Sequence, residues 1–103
     1  VVLPIYVRDG DSFTFCWLVE DKSRVFGTNA PEITGPEKEK GIKSRDYLRA
    51  LMPINQPMKV RVYGRDKFGR ALLEPFTADG RRISEIMVES KHAVPWDGQG
   101  PKP

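Results

Sequence analysis

The chain has 103 residues, 39% apolar and 30% charged, with 17 basic and 14 acidic side chains leaving a formal charge of +3. That length supports one hydrophobic core, not two, and the composition suits a soluble globular domain with a mild attraction for polyanions. A single cysteine, Cys16, and a single histidine, His92, exclude an internal disulfide, a thiolate metal cluster and any two-histidine metal motif.

No apolar run approaches the roughly 20 residues that a membrane-crossing helix needs. No secretory leader pattern opens the chain, which starts at Val1, so the cellular compartment is not legible. A monomer is the default expectation.

Residues 3–7 are rich in strand formers, and Asp9-Gly10 supplies the turn chemistry that folds one strand back on another. Residues 12–18 then alternate, with Phe13, Phe15 and Trp17 on one side and Thr14, Cys16 and Leu18 on the other, which predicts the returning strand. A third short strand is expected at residues 24–27. Residues 28–41 carry glycine, proline and many charges without periodicity and read as a loop. Tyr47, Leu48, Leu51 and Met52 recur at helical spacing, predicting a helix over residues 42–52 that Pro53 ends.

Residues 59–63 alternate basic with apolar, placing Val60 and Val62 inward and Lys59 and Arg61 outward. A turn over residues 64–69 leads into a strand over residues 70–77. After Asp79-Gly80, Ser84 is positioned to cap a second helix whose stripe includes Ile83, Ile86 and Met87. Residues 97–103 form a proline- and glycine-rich tail, leaving residues 1–96 as one domain.

The order is three strands, a helix, two strands and a helix. It predicts an α+β, mainly β domain: a five-stranded Greek-key barrel of the oligonucleotide/oligosaccharide-binding (OB) type with two to three helices.

Four segments hold charges that core building does not require. Asp9-Gly10-Asp11 is either an acidic hairpin turn or a pair of carboxylates facing a cation; an EF-hand loop is excluded because its fifth position would be Phe13. Asn29-Ala30-Pro31-Glu32 is either a helix start or a set of oxygen donors. Arg24 is either a solvated edge residue or a phosphate ligand. Residues 59–70 hold five basic side chains and one acidic, a local +4 that suits phosphate contacts or simply a solvated turn. Cys16 reads as a packing or surface residue, His92 as a helix-end residue, and Trp96 as a packing residue.

In order and spacing, Asp9-Gly10-Asp11-Ser12-Phe13, Arg24, Asn29-Ala30-Pro31-Glu32, Asp66-Lys67-Phe68-Gly69-Arg70 and Ala78-Asp79-Gly80 together resemble the staphylococcal nuclease family, over about residues 7–96. The resemblance implies a Ca²⁺-dependent nuclease that hydrolyses phosphodiester bonds of DNA or RNA. It implies Asp11, Asn29 and the Ala30 carbonyl as metal ligands, with Asp9 an acid beside them. It assigns Glu32 to the attacking water and Arg24 and Arg70 to the phosphate. Lys67 and Phe68 fall where substrate is bound. The chain departs from the family at Asn29, where an aspartate is expected and one negative charge is lost, and at Phe68, where a tyrosine is common. The competing expectation is a non-catalytic OB module that binds nucleic acid or a protein partner.

The chemistry stands without the family. Two guanidiniums fixed in advance meet the charge that develops on a phosphoryl group, and a carboxylate is needed near the water because no histidine lies in these motifs.

Overall fold

The predicted hairpin forms, but it turns at Gly10-Asp11, with Asp9 still in the strand and paired with Ser12: β1 (Val2–Asp9) pairs antiparallel with β2 (Ser12–Trp17), with register shifts between Pro4 and Tyr6 and between Val7 and Asp9. The computed structural model describes residues 2–17 and 20–103. Leu18 and the Trp17 side chain, which end the alternating run, lie outside the described residues.

The second sheet is built from β3 (Ser23–Val25), β5 (Lys59–Arg65) and β6 (Ala71–Phe76) in the order β3-β6-β5. Its central strand β6 runs parallel to β3 and antiparallel to β5. Two further strands were not expected: β4 (Thr28–Asn29) pairs antiparallel with β7 (Val94–Pro95), tying the segment just before the tail back to the segment after β3.

The predicted loop over residues 28–41 is therefore mostly ordered structure. It contains β4, a 3-10 turn at Gly35–Glu37 and the first turn of helix α1, which runs Lys38–Leu51. Gly41 does not break the helix. It lies inside it and is buried, because α1 crosses the backbone at Glu32 and Ile33: a Cβ on residue 41 would run into the Glu32 carbonyl and sit 2.8 Å from the Ile33 nitrogen. Glycine here reports close approach, not a turn.

Helix α2 (Ile83–Glu89) forms where the Ile83, Ile86 and Met87 stripe places it, and all three side chains are buried. Its cap differs from expectation. Arg82 occupies the cap position and Ser84 lies in the first turn, where its hydroxyl donates to the Glu74 carboxylate and its backbone N–H donates to the same group at 3.1 Å. Glu74, only 3% exposed on β6, thus satisfies one otherwise unpaired backbone donor of the helix start, the Ser84 N–H, from outside the helix.

At the other end, His92 N–H donates to Met87 O (2.9 Å) and Lys91 N–H to Val88 O (3.0 Å), a left-handed closure with Lys91 at φ 63°. The buried cluster of Ile83, Met87 and Ala93 packs on Tyr47, Leu48, Leu51, Met52 and Met58, so α1 and α2 share one small core. Buried Ser44 donates to the His92 carbonyl at 2.7 Å, and the Tyr47 and His92 rings stack 4.3 Å apart. His92 is a structural pin between the helices.

The fold is α+β. Among the described residues the strands make three separate sheets, not one closed barrel. The radius of gyration is 16.8 Å, against about 13 Å for a compact domain of this length. Both sides of the hairpin are uncovered: Phe13 is 61% exposed, and Cys16 is exposed on the other side. The inward placement of Val60 and Val62 also fails, with Val62 67% exposed, because β5 is a sheet edge and no layer covers that face. Among the described residues no helix is long and apolar enough to cross a membrane.

Candidate functional site

Arg24, in the middle of β3, and Arg70, immediately before β6, come together because β3 and β6 are paired in parallel with Arg24 opposite Leu72. Both arginines line two adjoining cavities, of about 570 Å³ and 360 Å³.

The smaller cavity also contains Asn29, Ala30 and Glu32, delivered by β4 and the segment after it. The larger holds Arg65, Lys67, Phe68 and Trp96. Residues called Arg24, Asn29, Ala30, Glu32 and Arg70 from sequence thus share one wall system, and Lys67 and Phe68 border it.

Each arginine is held differently. Arg70 Nε donates to Asp66 Oδ2 at 2.7 Å, and Asp66 Oδ1 accepts the backbone N–H groups of Phe68 (2.9 Å) and Arg70 (3.0 Å). Asp66 is therefore the staple of the turn between β5 and β6. Partial burial alone would raise its carboxyl pKa, but those two N–H groups and the Arg70 side chain outweigh it and hold the carboxyl below its ordinary 3.8.

Arg24 Nη2 donates to Thr28 O at 2.7 Å, and its guanidinium lies 4.5 Å from the centre of the Trp96 ring. Burial, then the like charge of Arg70, lowers the Arg24 pKa from its ordinary value, with Asp66 opposing. Two cations are thus kept close together in partial burial, an arrangement suited to a polyanionic guest.

Glu32 is exposed and faces Lys102, whose Nζ lies 3.6 Å from Glu32 Oε1. Arg65 is bound through both terminal nitrogens by Asp21 (2.7 and 3.2 Å), so part of the positive charge read from residues 59–70 is already neutralised. Phe68 is exposed, with the Lys67 ammonium 5.3 Å and the Arg70 guanidinium 5.5 Å from its ring centre.

Asp9 and Asp11 stand apart. They occupy the tip of the β1–β2 hairpin, where Asp11 N–H donates to Asp9 Oδ1 and Ser12 Oγ donates to Asp11 Oδ1, each at 3.3 Å. Neither lines the cavities that hold the two arginines.

Of the metal ligands that the resemblance implies, the smaller cavity keeps Asn29 and Ala30, and its one carboxylate, Glu32, already faces Lys102. Ca²⁺ takes six to eight oxygens, commonly with several carboxylates, so these residues in this arrangement do not make its cage. Among the described residues no group of three or more His, Cys, Asp or Glu side chains is placed to hold a metal.

Three contributors were not singled out as site residues from sequence: Asp66, Trp96 and Lys102. Asp66 had a visible signal, an acid four residues before Arg70. Trp96 and Lys102 lie in or beside a tail that reads as extended, and only the β4–β7 pairing brings them to the cavities.

No family model matches the chain. It is 28% identical over 98 residues to the succinoglycan biosynthesis protein ExoI of Rhizobium meliloti (strain 1021), an alignment covering 88% of this chain and 50% of that protein. The chain therefore spans about half the length of the curated relative it matches. No solved structure gives a significant match.

Proposed function

We propose that the chain is a phosphodiesterase acting on DNA or RNA. The observation that carries this reading is that Arg24 and Glu32 line one cavity with Arg70, which lies far from both in sequence. In the reaction, water attacks phosphorus while the bond to the leaving oxygen breaks. Arg24 and Arg70 meet the charge on the non-bridging oxygens, Glu32 takes the water proton, and the leaving oxygen is protonated from solvent. The Glu32–Lys102 pair is exposed on both sides and weakly held, so Lys102 can leave when substrate enters.

The OB barrel belongs to this reading as well. The β1–β2 hairpin and the β3-β6-β5 sheet each keep unpaired strand edges, and docking the hairpin edge to edge against β5 and β3 is what would close a barrel. Ca²⁺ dependence rests on the resemblance alone: Asp11 would have to reach Asn29 and Ala30, which requires that docking.

The test is cleavage of denatured DNA and of RNA with Ca²⁺ or with chelator, for the parent chain and for Arg24→Ala and Glu32→Ser. Cutting that disappears in both variants, while circular dichroism shows them folded, supports the nuclease. Cutting that survives both substitutions refutes the assignment of these side chains.

A second reading, a non-catalytic module that binds nucleic acid, is favoured by the pairing of Glu32 with Lys102 and by a cavity lining that does not include Asp11. It predicts salt-sensitive binding without cutting. Because the similar R. meliloti protein is named for succinoglycan biosynthesis, succinoglycan is the second ligand to test for such binding.

A further inference from the structure

We infer that Trp96 is a positioning residue for Arg24: its indole takes the face of the guanidinium and leaves the N–H edge for a phosphate. The inference rests on the phosphate-binding part of the reading above.

Trp96 is placed independently of Arg24. Its backbone N–H donates to Gly27 O at 2.9 Å, the preceding residue pairs with Thr28 in the β4–β7 ladder, and its Nε1–H donates to Gln99 O at 3.1 Å. The ring is therefore fixed at both ends before it meets a cation. The Arg24 guanidinium lies 4.5 Å from its centre, and the Lys102 ammonium lies 5.9 Å away.

The contrast with Arg70 shows what this accomplishes. Arg70 is oriented by a carboxylate, and Asp66 occupies its Nε–H. A guanidinium held by a carboxylate loses donors that a phosphate would use, since both partners compete for the same planar edge. A ring stacked on the face orients the same group and leaves its in-plane donors available, because a cation–π contact acts perpendicular to that plane. One Arg24 donor goes to Thr28 O, which sets the rotation of the guanidinium about the ring. The pair Thr28 and Trp96 thus defines both tilt and rotation. No carboxylate makes a direct ion pair with Arg24 among the described contacts.

The test compares Trp96→Phe, which keeps a π face, with Trp96→Leu, which keeps apolar bulk without one. Inorganic phosphate binding is measured by calorimetry, kcat and KM are measured on denatured DNA, and thermal melts confirm folding. A partly desolvated cation–π contact corresponds to about 2- to 30-fold in an equilibrium constant. Trp96→Leu is expected to weaken phosphate binding by that factor and to lower kcat, with Trp96→Phe recovering most of both. In an Arg24→Ala background the Trp96→Leu change is expected to alter phosphate binding no further.

Parental phosphate binding in Trp96→Leu, or an undiminished loss in the Arg24→Ala background, overturns the inference. If the parent binds phosphate but cuts no nucleic acid, the nuclease reading falls and the phosphate titration decides the Arg24–Trp96 pairing alone. A parent that does neither overturns both. Should Trp96→Leu fail to fold, the Arg24 Nε–H resonance of the parent gives the answer: ring-current shielding is expected, and an unshifted signal sinks the stacking.

Discussion

Replacing Gly41 with alanine sets two effects of opposite sign against each other. On an exposed helix, alanine in place of glycine stabilises by about 1 kcal/mol, because the backbone loses less entropy on folding. Gly41 is not exposed; it sits where α1 crosses the chain at Glu32 and Ile33. The added methyl would meet the Glu32 carbonyl well inside 3.0 Å, and the neighbour is backbone, not the end of a flexible side chain. Either α1 or the segment from β4 must shift. Overpacking of that kind costs about 1–3 kcal/mol, and more when backbone has to move. With the helix gain subtracted, the net loss expected is about 2 kcal/mol, or roughly 10 °C in melting temperature for a domain this size. Thermal and urea unfolding of Gly41→Ala measure it directly. A variant more stable than the parent would falsify the close approach of α1 to Glu32. The same shift displaces Glu32, so any nucleic-acid cleavage by the parent is expected to fall alongside stability.

Three further outcomes follow from the geometry. Lys91→Gly is expected to stabilise by about 0.5–1 kcal/mol in urea unfolding, since Lys91 closes α2 at φ 63°, a conformation glycine adopts without penalty; a loss of stability would mean that the Lys91 side chain makes a contact that matters more. Glu74→Gln is expected to destabilise by about 1–3 kcal/mol, because the buried carboxylate accepts both donors of Ser84 and an amide can satisfy only part of that demand; an unchanged melting temperature argues against this outside cap. Asp66 has its carboxyl held below 3.8 in the folded state, so it binds fewer protons folded than unfolded, and its contribution is present above that value and fades as pH falls through the lower, folded one. Asp66→Asn is accordingly expected to be less stable than the parent at neutral pH, with the gap narrowing in acid, and a gap independent of pH refutes the assignment.

Much of the secondary structure is local information. Asp9-Gly10 signals a hairpin because neither residue favours continuing a strand, and the Ile83, Ile86 and Met87 stripe specifies a helix because period 3.6 leaves only one face to bury. The motif order also marked Asp11, Arg24, Glu32 and Arg70 as a set; the last three line one cavity, and Asp11 does not. Local patterns could not say which faces would be covered. Val60 and Val62 alternate like core residues, yet β5 became an edge with no layer above it. Gly41 reads in sequence as the end of a loop, whereas its meaning comes from a backbone segment nine positions upstream at Glu32.

What residue order alone determined was the inventory: one domain's worth of chain, an α+β succession of elements, and a set of charged side chains suited to phosphate. Tertiary structure decided which of them meet. The parallel pairing of β3 with β6 gathers the two arginines, and the β4–β7 pairing carries Trp96 and Lys102 to them from a tail that has no periodicity. The physical reason is that turns and helices are stabilised by neighbours within a few residues, while strand partners and helix crossings are chosen by the net free energy of the whole packed chain.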